Sequence, residues 1–231
     1  MIGAITLQIQ STVFSILIVS LILLVFIFVV NKKIKEADPL EKPKGIVLLA
    51  TLIVESLSKF TKDNMKDKSA SNYAPYIAVL ALYLFISNIS GLIGISPPTK
   101  NYSVTLTLTL ITFVLIQRAT FRTVGIKGFI KSFFDPHPVF FIMNFFGKIA
   151  PLISMSVRLF GNITSGYILL MLLYNFTAYL SSLVPVIGVI NFIAPFVAPF
   201  LHFYFDLFVG AIQMFIFISL TTVFIGNELS Q

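Results

Sequence analysis

Long runs without charged residues constrain this chain more than any other feature. Residues 12–30 carry no charge, and at 1.5 Å per residue a helix of that length crosses the roughly 30 Å of a bilayer's hydrocarbon. Lipid offers no hydrogen bonds to the backbone, so an isolated strand is excluded, even at the alternating Thr105–Thr109. The sequence therefore predicts an all-α integral membrane protein. Further uncharged or nearly uncharged runs occupy residues 74–96, 103–117, 139–183 and 189–226.

The composition agrees with a membrane protein. Only 11% of the residues are charged, against about 25% in soluble domains, and the mean hydropathy is +0.97. The first run is interpreted as a retained span, because no basic segment precedes it and no Ala-x-Ala site follows. The absence of cysteine excludes disulfides and cysteine-ligated metals.

The basic residues predict the topology. They lie beside apolar runs, at Lys32–Lys35 and from Arg118 to Lys131. This places both flanks in the cytoplasm, with the N-terminus outside and the C-terminus inside. The same distribution predicts the lipid bilayer as a partner and no nucleic acid, although the net charge is +7.

We expect one membrane domain over residues 1–231. Residues 45–68 are predicted to form an amphipathic helix on the cytoplasmic surface, because Glu55 and Lys59 lie off its apolar face. The last two runs exceed the roughly 20 residues that a perpendicular helix needs. They are predicted to be long, strongly tilted helices that pack as a hairpin around Val184–Gly188. The membrane helices are predicted at residues 12–31, 74–96, 103–122, 139–183 and 189–226.

Arg158 is the only charged residue between Ile149 and Phe205. An arginine at mid-membrane depth costs from a few to more than ten kcal/mol, so it normally faces protein, water or a carboxylate. Snorkelling to the interface fits poorly near the centre of an apolar run. Helical spacing predicts one small, polar face that another helix can approach closely. That face contains Ser154, Arg158, Gly161, Asn162 and Ser165.

Asp206 is the matching charge in the last run. Helical spacing places His202, Asp206 and Gln213 on one face with Gly210. Two interpretations are open: an Arg158–Asp206 ion pair that joins two helices, or the polar lining of an ion pathway. The ion pair leaves the serines, Asn162 and Gln213 unexplained, which favours the pathway.

The motif around the arginine resembles a known family. Ser154-x-Ser-Val-Arg158-Leu-Phe-Gly161-Asn162-Ile-x-x-Gly166 is similar to the arginine motif of subunit a of F-type ATP synthases. Phe208-Val-Gly210-x-x-Gln213 resembles the last helix of that family, and Lys62–Met65 and Asn88–Leu92 resemble earlier landmarks. The resemblance covers about residues 55–227, and the short lysine-rich first loop is similar to bacterial members.

The resemblance implies the stator of a rotary motor in a bacterial plasma membrane. Arg158 would face a ring of c subunits, each with a membrane carboxylate, and two half-channels would carry protons or sodium ions to and from that ring. Ser154, Asn162 and Gln213 match positions of the family motifs. Many members have a glutamate where this chain has Tyr167. The resemblance implies that Asp206 is the relay carboxylate of the outer half-channel, with Tyr167 and His202 as companions.

The family resemblance also implies the partners of this chain, and two other functions are weighed against it. The implied partners are the c-subunit ring, the b-subunit peripheral stalk and the rest of the synthase, with no cofactor or metal. A stand-alone ion-coupled transporter with an Arg158–Asp206 site is the alternative, although such transporters often have repeated halves and this chain does not. An enzyme is disfavoured, because the sequence contains neither Gly-x-Ser-x-Gly nor a phosphate loop. We predict no catalytic site in this chain.

Overall fold

The computed structural model describes residues 11–36, 42–65, 69–183 and 191–229. Within these ranges the chain is helical and contains no strand, which confirms the all-α prediction. The predicted hinge at 184–188 and residues 66–68 of the predicted surface helix lie outside the described residues. The helices are α1 (Ser11–Glu36), α2 (Gly45–Met65), α3 (Ala70–Ile89), α4 (Tyr102–Lys131), α5 (Phe141–Ser182), α6 (Ala194–His202) and α7 (Gly210–Leu229).

Five elements of the described chain are long and apolar enough to cross a membrane, as predicted. Helix α2 is not among them. Helix α5 has 42 residues, so its length is about 63 Å, roughly twice the hydrocarbon thickness. It cannot stand perpendicular within the hydrocarbon layer. The five spans are Thr12–Glu36, Ala70–Ile93, Tyr102–Lys131, Pro138–Ser182 and Ala194–Leu229.

The last span is continuous but not uniformly α-helical. A π-helical turn, Phe203–Val209, joins α6 to α7. Such turns are rare and frequently occur at functional sites. Asp206 lies in the middle of this turn.

The core is formed where α3, α5 and α7 meet. Leu84 of α3, Leu159 of α5 and Phe217 of α7 are buried there in one apolar cluster. A second cluster, which includes Met65 of α2 and Ile116 of α4, joins the end of α2 to the bundle. Helix α5 therefore buries one face against the bundle and leaves the opposite face uncovered.

The α3–α4 connection turns tightly before α4 begins. A 3₁₀ turn at Pro98–Lys100 follows the Ser96-Pro97 breaker. The Asn101 side chain then caps α4 by accepting a hydrogen bond from the Ser103 N–H at 3.0 Å. Helix α4 continues past the predicted end at residue 122 and kinks at Gly125, whose φ of 69° suits glycine. Residues of this connection, among them Pro97 and Lys100, form one wall of a cavity that also contains Asp206.

Candidate functional site

Helix α5 carries Arg158 on its uncovered face. Arg158, Ser154 and Asn162 are all exposed, whereas Leu159 and Ile163 on the opposite face are buried. The Arg158 guanidinium donates a long hydrogen bond from Nη2 to the Ser154 hydroxyl at 3.4 Å. Its charge is therefore presented outward from the bundle.

A side-chain hydrogen bond ties this face to α7. The Asn162 amide donates to Oε1 of Gln213, and Gln213 is only 2% exposed. Asn162 lies one helical turn after Arg158, so this bond brings the polar residue of α7 next to the arginine-bearing face. The structure thus brings Ser154, Arg158, Asn162 and Gln213 together on the α5–α7 side.

Asp206 pairs with His202 in the described part of the chain, and not with Arg158. Oδ2 of Asp206 lies 2.7 Å from Nδ1 of His202. Nε2 of His202 lies 3.0 Å from the Tyr174 hydroxyl of α5. A phenol, an imidazole and a carboxylate therefore form one hydrogen-bonded chain. The Arg158–Asp206 ion pair that the sequence left open is not what the structure forms.

Two cavities meet at this chain of side chains. The first, of about 270 Å³, brings together the predicted residues Asn162, Tyr167, His202 and Asp206. The second, of about 780 Å³, is lined by Tyr174, Asn191 and the α6 segment. His202 borders both cavities. Ser154, Arg158 and Gln213 line neither of them.

Tyr167 does not contact Asp206 through a hydrogen bond in this arrangement. Its ring lies under the Lys100 ammonium, with Nζ 3.0 Å from the ring centroid. A cation over an aromatic face is attracted by the negative face of the ring. Lys100, from the α3–α4 connection, is thereby held at the wall of the smaller cavity, which it also lines.

Sequence reasoning missed Asn88 and Gly91 as site residues. Asn88 is 1% exposed; its amide donates to the Gly210 carbonyl at 2.9 Å and its Oδ1 accepts from the Thr99 hydroxyl at 2.9 Å. A Cβ at Gly91 would lie 2.9 Å from Cγ of Asp206. Glycine is therefore what allows the carboxylate to approach the 3₁₀ turn Ser90–Ile93, which follows α3. The Asn88–Leu92 motif signalled this segment, but not what it contacts.

The arrangement can hold and transfer protons. The imidazole and the phenol can each donate and accept hydrogen bonds, and the carboxyl group accepts them when ionised and donates one when protonated. Within the described ranges, no three His, Cys, Asp or Glu side chains gather into a metal-binding group.

Comparisons with known proteins identify a family. A family model described as "ATP synthase A chain" matches residues 12–226. "ATP synthase subunit a" of Mycoplasma pneumoniae is 36% identical over 226 residues, which cover 90% of this chain and 75% of that protein. The protein of the same name from Mycoplasma genitalium is 33% identical over 226 residues, with 90% and 76% covered. "ATP synthase subunit a, sodium ion specific" of Propionigenium modestum is 36% identical over 176 residues, with 69% and 55% covered.

Proposed function

The chain belongs to the ATP synthase A chain family, and on that premise we propose that it is the stator subunit that conducts ions to and from a ring of c subunits in a rotary F-type synthase. The observation that carries this proposal is the outward-facing arginine of α5. The proposed setting is a bacterial plasma membrane, with the N-terminus outside, the C-terminus cytoplasmic, and the b-subunit stalk as a further partner.

The uncovered face of α5 requires a partner. Arg158 is exposed on a helix whose neighbouring exposed residues include Val157 and Ile153. Against lipid, that charge would cost a few to more than ten kcal/mol. A ring of helices that carries one carboxylate per subunit supplies the missing anion. The small and polar residues on either side of the arginine allow such helices to pass closely.

Two opposing effects on the pKa of a ring carboxylate are similar in size, so Arg158 releases each carboxylate instead of binding it permanently. Burial in an apolar site raises a carboxylate pKa by up to about 3–5 units, which keeps a ring acid neutral in lipid. A guanidinium at about 4 Å contributes roughly 4 kcal/mol at an effective dielectric of 20, which is about three pKa units downward. Because the two effects are comparable, Arg158 ionises each passing carboxylate without trapping it. Its fixed charge also blocks direct leakage of cations between the half-channels.

The two cavities are assigned to the outer half-channel. A proton enters the larger cavity, passes through His202 to Asp206, and reaches the smaller cavity beside Asn162. The geometry that supports this route is the Tyr174–His202–Asp206 chain, with distances of 3.0 and 2.7 Å. Asn162 completes the route to the arginine-bearing face. In this proposal Tyr167 has a different role from the glutamate common in the family, because its ring positions Lys100.

The stand-alone transporter with an Arg158–Asp206 site finds no support in the geometry. Asp206 already has His202 as its partner, and the hydrogen-bond partner of Arg158 is Ser154. ATP chemistry is assigned to partner subunits.

ATP-driven proton pumping into inverted membrane vesicles tests the proposal. Arg158→Ala is expected to abolish pumping while the complex stays assembled, as judged by blotting. Arg158→Lys is expected to lose most of it, because lysine lacks the planar, delocalised fork. Arg122→Ala is the matched control, since Arg122 is also exposed but lies on α4 away from both cavities. Pumping that survives in an assembled Arg158→Ala complex would overturn the proposed role of the arginine.

A further inference from the structure

A crevice away from the ion path lies between α1, α2 and α3. Its volume is about 510 Å³, and it is lined almost entirely by apolar side chains, among them Ile27 of α1, Ile53 of α2 and Val79 of α3. Among the described residues of its lining, Lys62 is the only charged one. We propose that this crevice, the α1–α3 crevice, binds a phospholipid with an anionic headgroup.

The lining changes from polar to apolar in one direction. Asn31 near the end of α1, Lys62 near the end of α2, and Ser71 near the start of α3 lie at one end of the crevice. Phe26 and Leu82 lie deeper along their helices. Because α1 ends and α3 begins at the same face of the bundle, the polar groups share one membrane surface. This gradient matches a lipid headgroup and its acyl chains.

The depth of the crevice matches one leaflet. From Ser71 to Leu82, both in its lining, α3 rises about 17 Å at 1.5 Å per residue. That is roughly half of the 30 Å hydrocarbon thickness. A lipid whose headgroup lies at Ser71 therefore has its acyl chain against Val79 and Leu82 and ends near the middle of the bilayer.

The polar end has unused hydrogen-bonding capacity. Among the described residues, no hydrogen bond or ion pair engages the side chains of Asn31, Ser58, Lys62 or Ser71. Pro75 has no N–H to donate to the Ser71 carbonyl one turn earlier, which leaves an acceptor at the same level. An ammonium, hydroxyls and a free carbonyl together suit a phosphate that bears a hydroxylated substituent, as in phosphatidylglycerol.

The apolar lining of the crevice suits acyl chains as its occupant. A protein helix is about 10 Å wide. Acyl chains are narrower and flexible and can fill such a space. The lone lysine favours an anionic headgroup over a zwitterionic one, which would bring a second cation beside it.

Photocrosslinking of the assembled synthase in vesicles tests this site. The probes are phosphatidylglycerol and phosphatidylcholine with the same diazirine-bearing acyl chain, and labelled peptides are mapped by mass spectrometry. Phosphatidylglycerol is expected to label residues 26–34 and 74–82 about fivefold more than phosphatidylcholine, the factor that one lysine near a membrane surface supplies. Lys62→Ala should remove this preference, and the control Lys59→Ala, exposed on the same helix but outside the lining, should keep it.

A second variant tests the apolar end. Val79 is 47% exposed, so Val79→Phe can fill the crevice without disturbing the core, and it should lower labelling by both lipids several-fold. Three outcomes would overturn the proposal: equal labelling of the wild type by both probes, a preference that survives Lys62→Ala, or crosslinks from these segments to a helix of another subunit. These readouts do not depend on ion pumping, so they stand apart from the proposed function.

Discussion

Gly91→Ala tests the position of Asp206 more directly than a change of the carboxylate itself. An added Cβ would lie 2.9 Å from both Cγ and Oδ2 of Asp206, whereas ordinary contact begins near 3.4 Å. The carboxylate must therefore retreat by about 0.5 Å. His202 lies one turn earlier on the same helix, so this retreat lengthens the 2.7 Å bond between the two side chains. At about 3.2 Å such a bond lies at the long end of its usual range and is weakened.

The expected effect on ion transport follows from that bond. A hydrogen bond to a charged group contributes about 1.5–3 kcal/mol, and each 1.36 kcal/mol is a factor of ten in rate. We expect the initial rate of ATP-driven acidification in inverted vesicles, normalised to assembled complex, to fall by up to about a hundredfold, the value for complete loss of the bond. The fold should survive, because only the end of one side chain has to move.

Gly147→Ala is the matched control, because a Cβ at this α5 residue would meet no atom within 4 Å. It should pump at the wild-type rate. If Asp206 is the group displaced, Gly91→Ala combined with Asp206→Asn should cost no more than Asp206→Asn alone, since the two changes act on one interaction. Wild-type pumping by Gly91→Ala would refute the relay through Asp206, and so would additive losses in the double variant.

Changes at three further contacts test the surrounding structure. Asn88→Leu leaves the Gly210 carbonyl and the Thr99 hydroxyl without their buried partner. The complex should therefore lose about 1–3 kcal/mol of stability, measured as a lower temperature of thermal dissociation in detergent. Thr99→Val should cost about half as much, and an unchanged dissociation temperature for both variants would contradict the role of these two hydrogen bonds. Tyr174→Phe removes the hydroxyl that lies at Nε2 of His202 and with it one hydrogen bond, which is worth about 1 kcal/mol. Acidification should slow by up to about fivefold while assembly stays intact. An unchanged rate would show that Tyr174 is not part of the proton route. Gly226→Leu forces α7 away from Met65, whose Cα lies 3.1 Å from the position of the new Cβ. This change should destabilise the complex by about 1–3 kcal/mol without changing the pumping rate per assembled complex. A lower pumping rate per assembled complex would show that the α2–α7 contact serves transport.

The architecture could be predicted from sequence because lipid leaves the backbone few choices. Uncharged runs must be helical, and their number predicted the five spans. The ends of the helices were harder to predict. Helix α1 continues through Lys32–Lys35 to Glu36, and α4 continues past residue 122 to Lys131. A helix can extend beyond the hydrocarbon into water, and hydrophobicity does not mark where it stops.

The charged members of the site could be predicted for a related reason. Arg158 and Asp206 stand out because an intramembrane charge is costly without a function or a partner. Their partners could not be read in the same way. The sequence left an Arg158–Asp206 pair open, while the structure pairs Asp206 with His202. The Asn88–Gly210 contact joins residues 122 positions apart, and local periodicity contains no information about it.

The π-helical turn at Phe203–Val209 determines how the two ends of the last span are rotated against each other. His202 and Asp206 lie at or before the middle of this turn, and Gln213 lies after it. If all seven residues of the turn became α-helical, the one residue that the wider turn absorbs would rotate one end of the span against the other by about 100°. His202 would then point away from Tyr174 while Gln213 still faced Asn162. The π-helical turn therefore keeps two sets of side chains in phase, and a change of length elsewhere in the span, where no wider turn absorbs it, should be tolerated far less well than a substitution.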